Sequence, residues 1–306
     1  NLEAAPGGGT PVSSATGALP VYNTTDSLGK VKGTGTRTDS NSSYLVVAVP
    51  FDAGNTVDVS NSINTSSTTK SFTTTGSFAS NASNIFYGSS TDFNGSSCLG
   101  TTSSSSDFTF GTGDFTVEYW ANYDDISASN SQRGDFQTST TSGGVTTSLS
   151  TGVINSFYPS GTLNFNVAGA TAGVIAGIAA GTWYHIAFVR ENGSVRLYKD
   201  GILQATTSNT GNVTATYLAI GGYYSATYFI NGRMQDFRVY KGVAKYTSNF
   251  TLVAPGNPAL QAGTDSLLDT PTNGDTASDT GAGGEVVGNY ATLNPLALPG
   301  GGTLSD

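Results

Sequence analysis

The sequence has very few of the side chains that form cross-links, metal sites and nucleic-acid-binding surfaces. Its 306 residues include one cysteine (Cys98), one histidine (His185) and one methionine (Met234). These counts exclude a disulfide within the chain and a zinc site built from Cys and His. Lys and Arg number 12 against 21 Asp and Glu, a net charge of −9. A basic surface is therefore missing, and we expect no nucleic-acid partner.

Long apolar runs are also missing. The longest, residues 167–180, is shorter than the ~20 residues of a transmembrane helix and is interrupted by Gly and Thr, so we expect no membrane span. Charged residues make up 11% of the chain, where ordinary domains have roughly 25%. Forty glycines and many Ser, Thr and Asn take their place. Because hydrophobic residues still make up 37%, a sizeable core remains possible.

The distribution of apolar residues divides the chain into three parts. Residues 1–37 and 255–306 are rich in Gly and Pro and have almost no periodic apolar pattern, so both are predicted to be extended arms. The second arm contains short apolar patches, such as Leu267 and Leu268, that could dock onto a partner. Residues 38–254 are predicted to form one folded domain.

The pattern of this domain predicts strands, since no sustained 3.6-residue period occurs. Residues 115–123 alternate, with Phe115 and Tyr119 on one face and Glu118 and Trp120 on the other. The pairs Asn-Gly at 192–193 and Asp-Gly at 200–201 suit type I′ turns and predict a three-stranded meander. Many short strands with Gly-rich turns predict an all-β sandwich of two antiparallel sheets. The predicted strands are residues 44–49, 70–75, 91–99, 115–123, 183–190, 194–199, 202–205, 217–220, 228–230 and 233–240.

Several blocks in this region resemble the laminin-G-like jelly roll, which belongs to the concanavalin A-like lectin/glucanase fold. They are GDFTVEYW at 113–120, GTWYHIAFVR at 181–190, SVRLYKDG at 194–201, IGG at 220–222 and FINGRMQDFRV at 229–239. The resemblance implies a concanavalin A-like jelly-roll sandwich that carries the two arms.

The flanking segments resemble those that border such jelly rolls in structural proteins of marine bacteriophages. They are LPVYNTTD at 19–26, GKVKG at 29–33, DTPTN at 269–273 and GAGGEVVGNYATLNP at 281–295. This second resemblance implies a virion component.

The fold family includes glycosidases, but the sequence offers no catalytic residues. Glycoside hydrolysis uses two carboxyl groups ~5–9.5 Å apart, and the Glu-x-Asp-x-x-Glu strand of the family's glucanases is absent. Glu118 alone lies inside a strand, and its same-face neighbours, Thr116 and Trp120, are not acidic. His185 has no accompanying nucleophile elbow. We predict that a hydroxyl or a cation satisfies Glu118, that His185 and Cys98 are packed in the interior, and that the protein is not an enzyme.

The resemblance implies one candidate cofactor, Ca²⁺, held by oxygen ligands on loops at the rim of the sandwich. Asp124 and Asp125, directly after the strand at 115–123, are the candidate ligands, together with Asp135. The alternative interpretation is a polar loop without a metal.

Tyrosines in polar loops are candidates for binding sugars, since aromatic rings stack on pyranose faces. Tyr223, Tyr224 and Tyr228 lie in the Gly/Ser/Thr-rich stretch 221–228, and Tyr158 stands beside a proline. The alternative is that these rings pack against the sheet rim or a neighbouring subunit.

Together these features predict a non-enzymatic virion structural protein, either a capsid-decorating or a tail-fibre component. It would display its jelly roll on the extracellular particle surface as a homo-oligomer, fastened to other virion subunits through its arms. The first alternative is a carbohydrate-binding adhesin that recognises host-surface glycans. The second is a glycan-cleaving enzyme of the same fold.

Overall fold

Short strands make up most of the described part of the chain. The computed structural model describes residues 39–52, 54–85, 88–126, 133–142, 154–158, 161–223 and 225–252, with backbone only for 133, 155, 157, 158, 223 and 225–227. Both predicted arms lie outside these residues. The strands are β1 (Leu45–Val49), β2 (Phe72–Thr75), β3 (Phe78–Asn81), β4 (Ser90–Asn94), β5 (Cys98–Thr101), β6 (Phe115–Tyr123), β7 (Arg133–Ser139), β8 (Ile154–Tyr158), β9 (Thr162–Val167), β10 (Ala170–Ala176), β11 (Trp183–Glu191), β12 (Ser194–Lys199), β13 (Ile202–Ser208), β14 (Tyr217–Ile220), β15 (Gly222–Tyr223), β16 (Ser225–Phe229) and β17 (Asn231–Lys241).

The described strands form two sheets. One sheet has eight strands. Seven of them follow the order β13-β12-β11-β6-β17-β4-β3, and the eighth, β1, pairs with β17. The other sheet has nine strands. Seven of them follow the order β10-β9-β8-β7-β14-β5-β2, and the β15–β16 hairpin is attached to β7. All pairs are antiparallel except the single contact between β16 and β7. The predicted all-β sandwich of antiparallel sheets is confirmed.

Helix is nearly absent from the described residues, as the sequence predicted. They contain one four-residue α-helix, α1 (Ser60–Ile63), and two short 3₁₀ turns, Ser42–Tyr44 and Ser106–Phe108. None of the helices in this part of the chain is long and apolar enough to cross a membrane.

The two turns of the predicted meander have the expected backbone. Asn192 and Gly193 have φ values of 46° and 75°, and Asp200 and Gly201 have 52° and 78°. Positive φ at both central residues defines a type I′ turn. At Gly201 a Cβ atom would also lie 2.1 Å from the carbonyl oxygen of Phe250. This position therefore requires glycine for two reasons, its positive φ and this close approach.

The strand predictions failed where glycine and polar residues dominate. The single strand predicted for residues 91–99 is wrong, because Gly95, with a φ of 78°, separates β4 from β5 and the two strands join different sheets. The predicted list also lacks β3, β7 to β10 and β15. These strands are rich in Gly, Ser, Thr and Asn, whose weak strand propensity gives little local signal.

Both faces of the central strand β6 are buried. Phe115, Val117, Tyr119 and Ala121 point into the core between the sheets. Trp120 belongs to a separate apolar cluster on the opposite face of the eight-stranded sheet, called here the outer face. Residues 243–252, which follow β17 and are called here the strap, cover this face. A sheet with a solvent-facing side would show polar residues there, so the strap explains why β6 is buried throughout.

The largest completely buried side chain is a charged one, Arg190 on β11. Its guanidinium donates hydrogen bonds of 2.8 Å to the backbone carbonyls of Gly111, Gly113 and Gly211. It also lies 5.0 Å from the centre of the Phe115 ring. The planar fork of donors therefore ties the loop before β6 to the loop before β14.

We predict that Arg190→Met destabilises the domain by about 3 kcal/mol or more, because three hydrogen bonds from a buried guanidinium to backbone carbonyls are lost. Denaturant-induced unfolding measures the effect. Arg196→Met is the matched control, since Arg196 forms a half-exposed pair with Glu191 and should cost at most ~1 kcal/mol. Equal stabilities of the two variants would show that the hydrogen bonds of Arg190 do not stabilise the domain.

Candidate functional site

A buried network of charges surrounds Glu118 on the outer face. Its Oε1 accepts hydrogen bonds from Lys245 Nζ at 2.6 Å and from Arg238 Nη1 at 3.2 Å. Its Oε2 accepts one from the Tyr246 hydroxyl at 2.6 Å and lies 3.5 Å from His185 Nε2. Glu118 is only 1% exposed, so the network closes this carboxylate off from solvent. The prediction that a hydroxyl or a cation satisfies Glu118 is confirmed.

The strap is held on the outer face by aromatic packing. Tyr246 and Phe250 stack with ring centres 3.6 Å apart, and both contact His185 and Tyr198 below them. At the start of the strap, the Thr116 hydroxyl donates to the carbonyl of Val243. Leu252, at its end, packs with Trp120 and Trp183.

His185 is packed in the interior, as predicted. It is 6% exposed and meets the Trp120 ring edge-on at 5.3 Å between ring centres. Its Nδ1 finds no hydrogen-bond partner among the described residues. Cys98 is also buried, and burial raises the pKa of its thiol, as expected for a packed and unreactive cysteine.

The environment of Glu118 does not suit the general acid of glycoside hydrolysis, which must carry a proton before the reaction begins. Burial alone would raise the pKa of Glu118, but Lys245, a hydrogen bond from His185 and Arg238 together hold it well below its ordinary value. Two further carboxylates form ion pairs with the cations that contact Glu118: Asp39 pairs with Lys245, and Asp236 pairs with Arg238. A general acid needs a raised pKa and access to substrate. Glu118 has neither.

Sequence reasoning missed the partners of Glu118, because Lys245 lies 127 residues away along the chain. One signal was available: four of the 12 cationic residues fall within residues 233–245. Such a concentration in a chain so poor in charge marks a region where buried carboxylates are neutralised.

The three predicted calcium ligands are engaged elsewhere or held apart. Asp124 accepts a 2.7 Å hydrogen bond from Arg233, and Asp125 follows it in the same loop. Asp135 lies between the sheets and is fully buried. Within the described ranges, no three His, Cys, Asp or Glu side chains come together as a metal site. The calcium prediction thus remains without a site in this part of the chain.

Asp135 joins the two sheets from inside the sandwich. Its Oδ2 accepts hydrogen bonds from the hydroxyls of Tyr119 at 2.6 Å, Ser156 at 2.9 Å and Tyr123 at 3.1 Å. Burial outweighs these bonds and raises the pKa of Asp135 from 3.8 to about 6.

The predicted sugar-binding tyrosines belong to backbone segments at one end of the nine-stranded sheet. At the start of β7, Arg133 pairs with Tyr158, while Gly134 pairs with Phe157 and with Phe229. The β15–β16 hairpin, which carries positions 223 and 228, therefore lies across the start of β7 from the end of β8. Tyr228 is half-buried. Tyr224 and the side chains of Tyr158 and Tyr223 lie outside the described residues.

The loop with the predicted calcium ligands reaches the same end of the sandwich. The amide of Asp124 donates to the carbonyl of Asn231 at 2.9 Å, and the amide of Gly161 donates to the carbonyl of Ile126 at 3.2 Å. We call this end, formed by residues 124–126, 158, 161, 222–223 and 225–231, the rim. The structure thus brings together two sets of positions that the sequence left apart.

The sequence profile of the concanavalin A-like lectin/glucanases superfamily matches residues 94–246, which is 153 of 306 residues, half of the chain. The chain belongs to this superfamily. Within these bounds, the laminin-G-like resemblance and the jelly-roll sandwich predicted from sequence are confirmed. The predicted bacteriophage context stays a prediction. No curated protein matches the chain.

Several solved structures share the concanavalin A-like fold at low identity. The binding domain of botulinum neurotoxin serotype C1 has 11% identity and a TM-score of 0.50, with 67% of this chain and 51% of that chain covered. The binding domain of botulinum neurotoxin DC, solved with rat synaptotagmin II, has 12% identity and a TM-score of 0.50, with 67% and 50% covered.

A third structure is domain 4 of AbnA, an extracellular arabinanase from Geobacillus stearothermophilus, in complex with arabinotriose. It has 17% identity and a TM-score of 0.46, with 65% of this chain and 93% of that chain covered. The chain spans about half the length of the toxin domains. At these identities the similarity to the two toxin domains shows the fold alone.

We predict that Asp135→Asn changes how stability depends on pH. Because the folded-state pKa is raised, the folded chain keeps a proton between pH 3.8 and about 6 that the unfolded chain has lost. The retained proton stabilises the folded chain. This contribution is complete below pH 3.8 and is lost as the pH rises through about 6. Relative to the parent, the free energy of unfolding of the variant should therefore rise by ~3 kcal/mol between acidic and neutral pH, at ~1.4 kcal/mol per pKa unit.

Denaturant unfolding across this pH range measures the difference. Ser156→Ala removes a hydroxyl that lowers the pKa of Asp135. In this variant, the fall in stability with rising pH should therefore extend to higher pH. Identical pH profiles for Asp135→Asn and the parent would contradict the assignment.

Proposed function

We propose that this domain is a non-catalytic module that binds carbohydrate at the rim. The convergence of positions 158, 223 and 228 beside β7 carries the proposal. Tyrosine rings offer flat apolar faces for sugars, and the polar loops around them supply hydrogen-bond partners. Membership of a superfamily that includes both lectins and glucanases leaves this choice open, so the proposal rests on the site.

The absence of catalysis is also a proposal, and the outer face supports it. Glu118 is neutralised by Lys245 and Arg238, and the strap lies over it. Water and sugar would have to displace the strap to reach this carboxylate. An assay of reducing-end release from mixed polysaccharides should find no activity. Activity that disappears in Glu118→Gln would overturn the proposal.

We predict that Tyr223→Ala, Tyr224→Ala or Tyr228→Ala weakens binding to a glycan found by array screening. Loss of one stacking ring should raise Kd about tenfold, or ~1.4 kcal/mol. Tyr44→Ala is the matched control, because Tyr44 is 44% exposed and lies near Gly242, past the opposite end of β17 from the rim. Equal losses of glycan affinity in all four variants, or no glycan bound by the parent, would contradict binding at the rim.

A second proposal concerns the setting of the domain: it is displayed on a virion surface by a structural protein whose arms attach it to other subunits. The positions of the two ends support this. Asp39 contacts Lys245 and Tyr240, and Leu252 packs on Trp120, so both ends of the described domain lie on the outer face. A domain tethered through this face can leave its rim exposed.

We expect that Leu267→Asp and Leu268→Asp reduce incorporation of the chain into particles, since a charge cannot dock into an apolar contact. Particle composition by mass spectrometry measures incorporation, with Thr270→Asp as the polar control. Full incorporation of all three variants would contradict docking through this segment.

A further inference from the structure

Lys245, Asp39 and Glu118 form a compact buried cluster, called here the Lys245 site. Lys245 Nζ lies 3.1 Å from Asp39 Oδ2 and 2.6 Å from Glu118 Oε1. The three side chains are 11%, 7% and 2% exposed, respectively. The amine therefore donates hydrogen bonds to both carboxyl groups, largely out of reach of water.

Aromatic rings surround the amine. The centre of the Tyr240 ring is 4.6 Å from Lys245 Nζ, and that of Tyr246 is 5.4 Å away. The Tyr240 hydroxyl donates a 2.6 Å hydrogen bond to Asp39 Oδ2. The same hydroxyl accepts a 3.0 Å hydrogen bond from Lys245 Nζ, so Tyr240 holds the amine and the Asp39 carboxyl group side by side.

We propose that Lys245 and Asp39 join in an isopeptide bond that the protein forms by itself, with Glu118 as the group that transfers protons. The lone pair of Nζ attacks Cγ of Asp39, and Glu118 accepts a proton from the nitrogen. Glu118 then returns this proton to the departing oxygen. One C–N bond forms and one C–O bond breaks. Overall, an ammonium and a carboxylate give an amide and one water, with no oxidant, reductant or further reactant.

The neighbours of the Lys245 site suit both reactant and product. Arg238 and the Tyr246 hydroxyl hold Glu118 in place independently of Lys245, and Asp236 balances the charge of Arg238. After the reaction, the amide N–H can keep donating to Glu118. The bond removes one positive and one negative charge together, so the net charge of the buried cluster does not change.

The position of the bond suggests its use. It would connect residue 39, two positions after the region predicted as the N-terminal arm, to the strap that precedes the C-terminal arm. Because these residues are 206 positions apart, the bond would close almost the whole domain into one covalent loop. Force applied through the two ends would then pass through a covalent path and bypass the sheets.

Intact-mass spectrometry of the full chain under denaturing conditions tests the proposal. We expect a mass lower by one water molecule than the sequence gives. After trypsin digestion, residues 38–70 should be found joined to residues 242–306, since an acylated Lys245 is no longer cleaved. A full sequence mass with separate peptides would overturn the proposal.

Three variants separate the bond from other losses of water. Lys245→Arg keeps the charge but forms no amide, so its mass should be that of its sequence. Asp39→Asn can form the same bond with loss of ammonia, and its mass should fall by one ammonia. Glu118→Gln should leave the two residues unjoined, with folding checked by circular dichroism. A missing water that persists in Lys245→Arg would overturn the bond, and a joined Glu118→Gln would overturn the proton-transfer role.

Discussion

The burial of one carboxylate, Glu118, constrains much of the outer face. A buried ionised carboxylate without partners would cost several kcal/mol, so cations and donors must reach it. Arg238 comes from the next strand in the sheet, but Lys245 and Tyr246 come from the strap. The strap must therefore cross the sheet directly above β6. Its aromatic residues then cover the rest of this face, and Asp39 completes the network by pairing with Lys245.

The closed outer face and the rim divide the domain into a structural and a recognition part. The outer face carries paired charges under an apolar cover, an arrangement that resists solvent and substrate. The rim carries loops from both sheets, where side chains can change without disturbing the core. Asp135 lies between the two sheets, and its hydroxyl partners come from both of them. The raised pKa of Asp135 links the stability of the interior to pH.

Local sequence was sufficient wherever one strand and one turn decide the outcome. Strands β6, β12 and β14 begin and end where alternation or turn residues place them, because side-chain period and positive-φ turns are properties of a few neighbouring residues. Gly95 shows the limit. Its neighbours are equally strand-like on both sides, and only the pairing of β4 with β17 and of β5 with β14 sends them to different sheets. Strands β7 to β10 gain stability from pairing and burial rather than from their own propensity.

The sequence by itself determined the all-β class, the turns of the meander, the shortage of charge and the absence of a glucanase carboxylate motif, since each depends on composition or on short spacing. Tertiary structure alone decided which charges meet. Glu118 and its partners are separated by up to 128 residues, and Asp39 and Lys245 by 206. Electrostatic interactions and hydrogen bonds act over a few ångströms in space, whatever the distance along the chain. Hence folding, not spacing, placed an amine between two carboxylates.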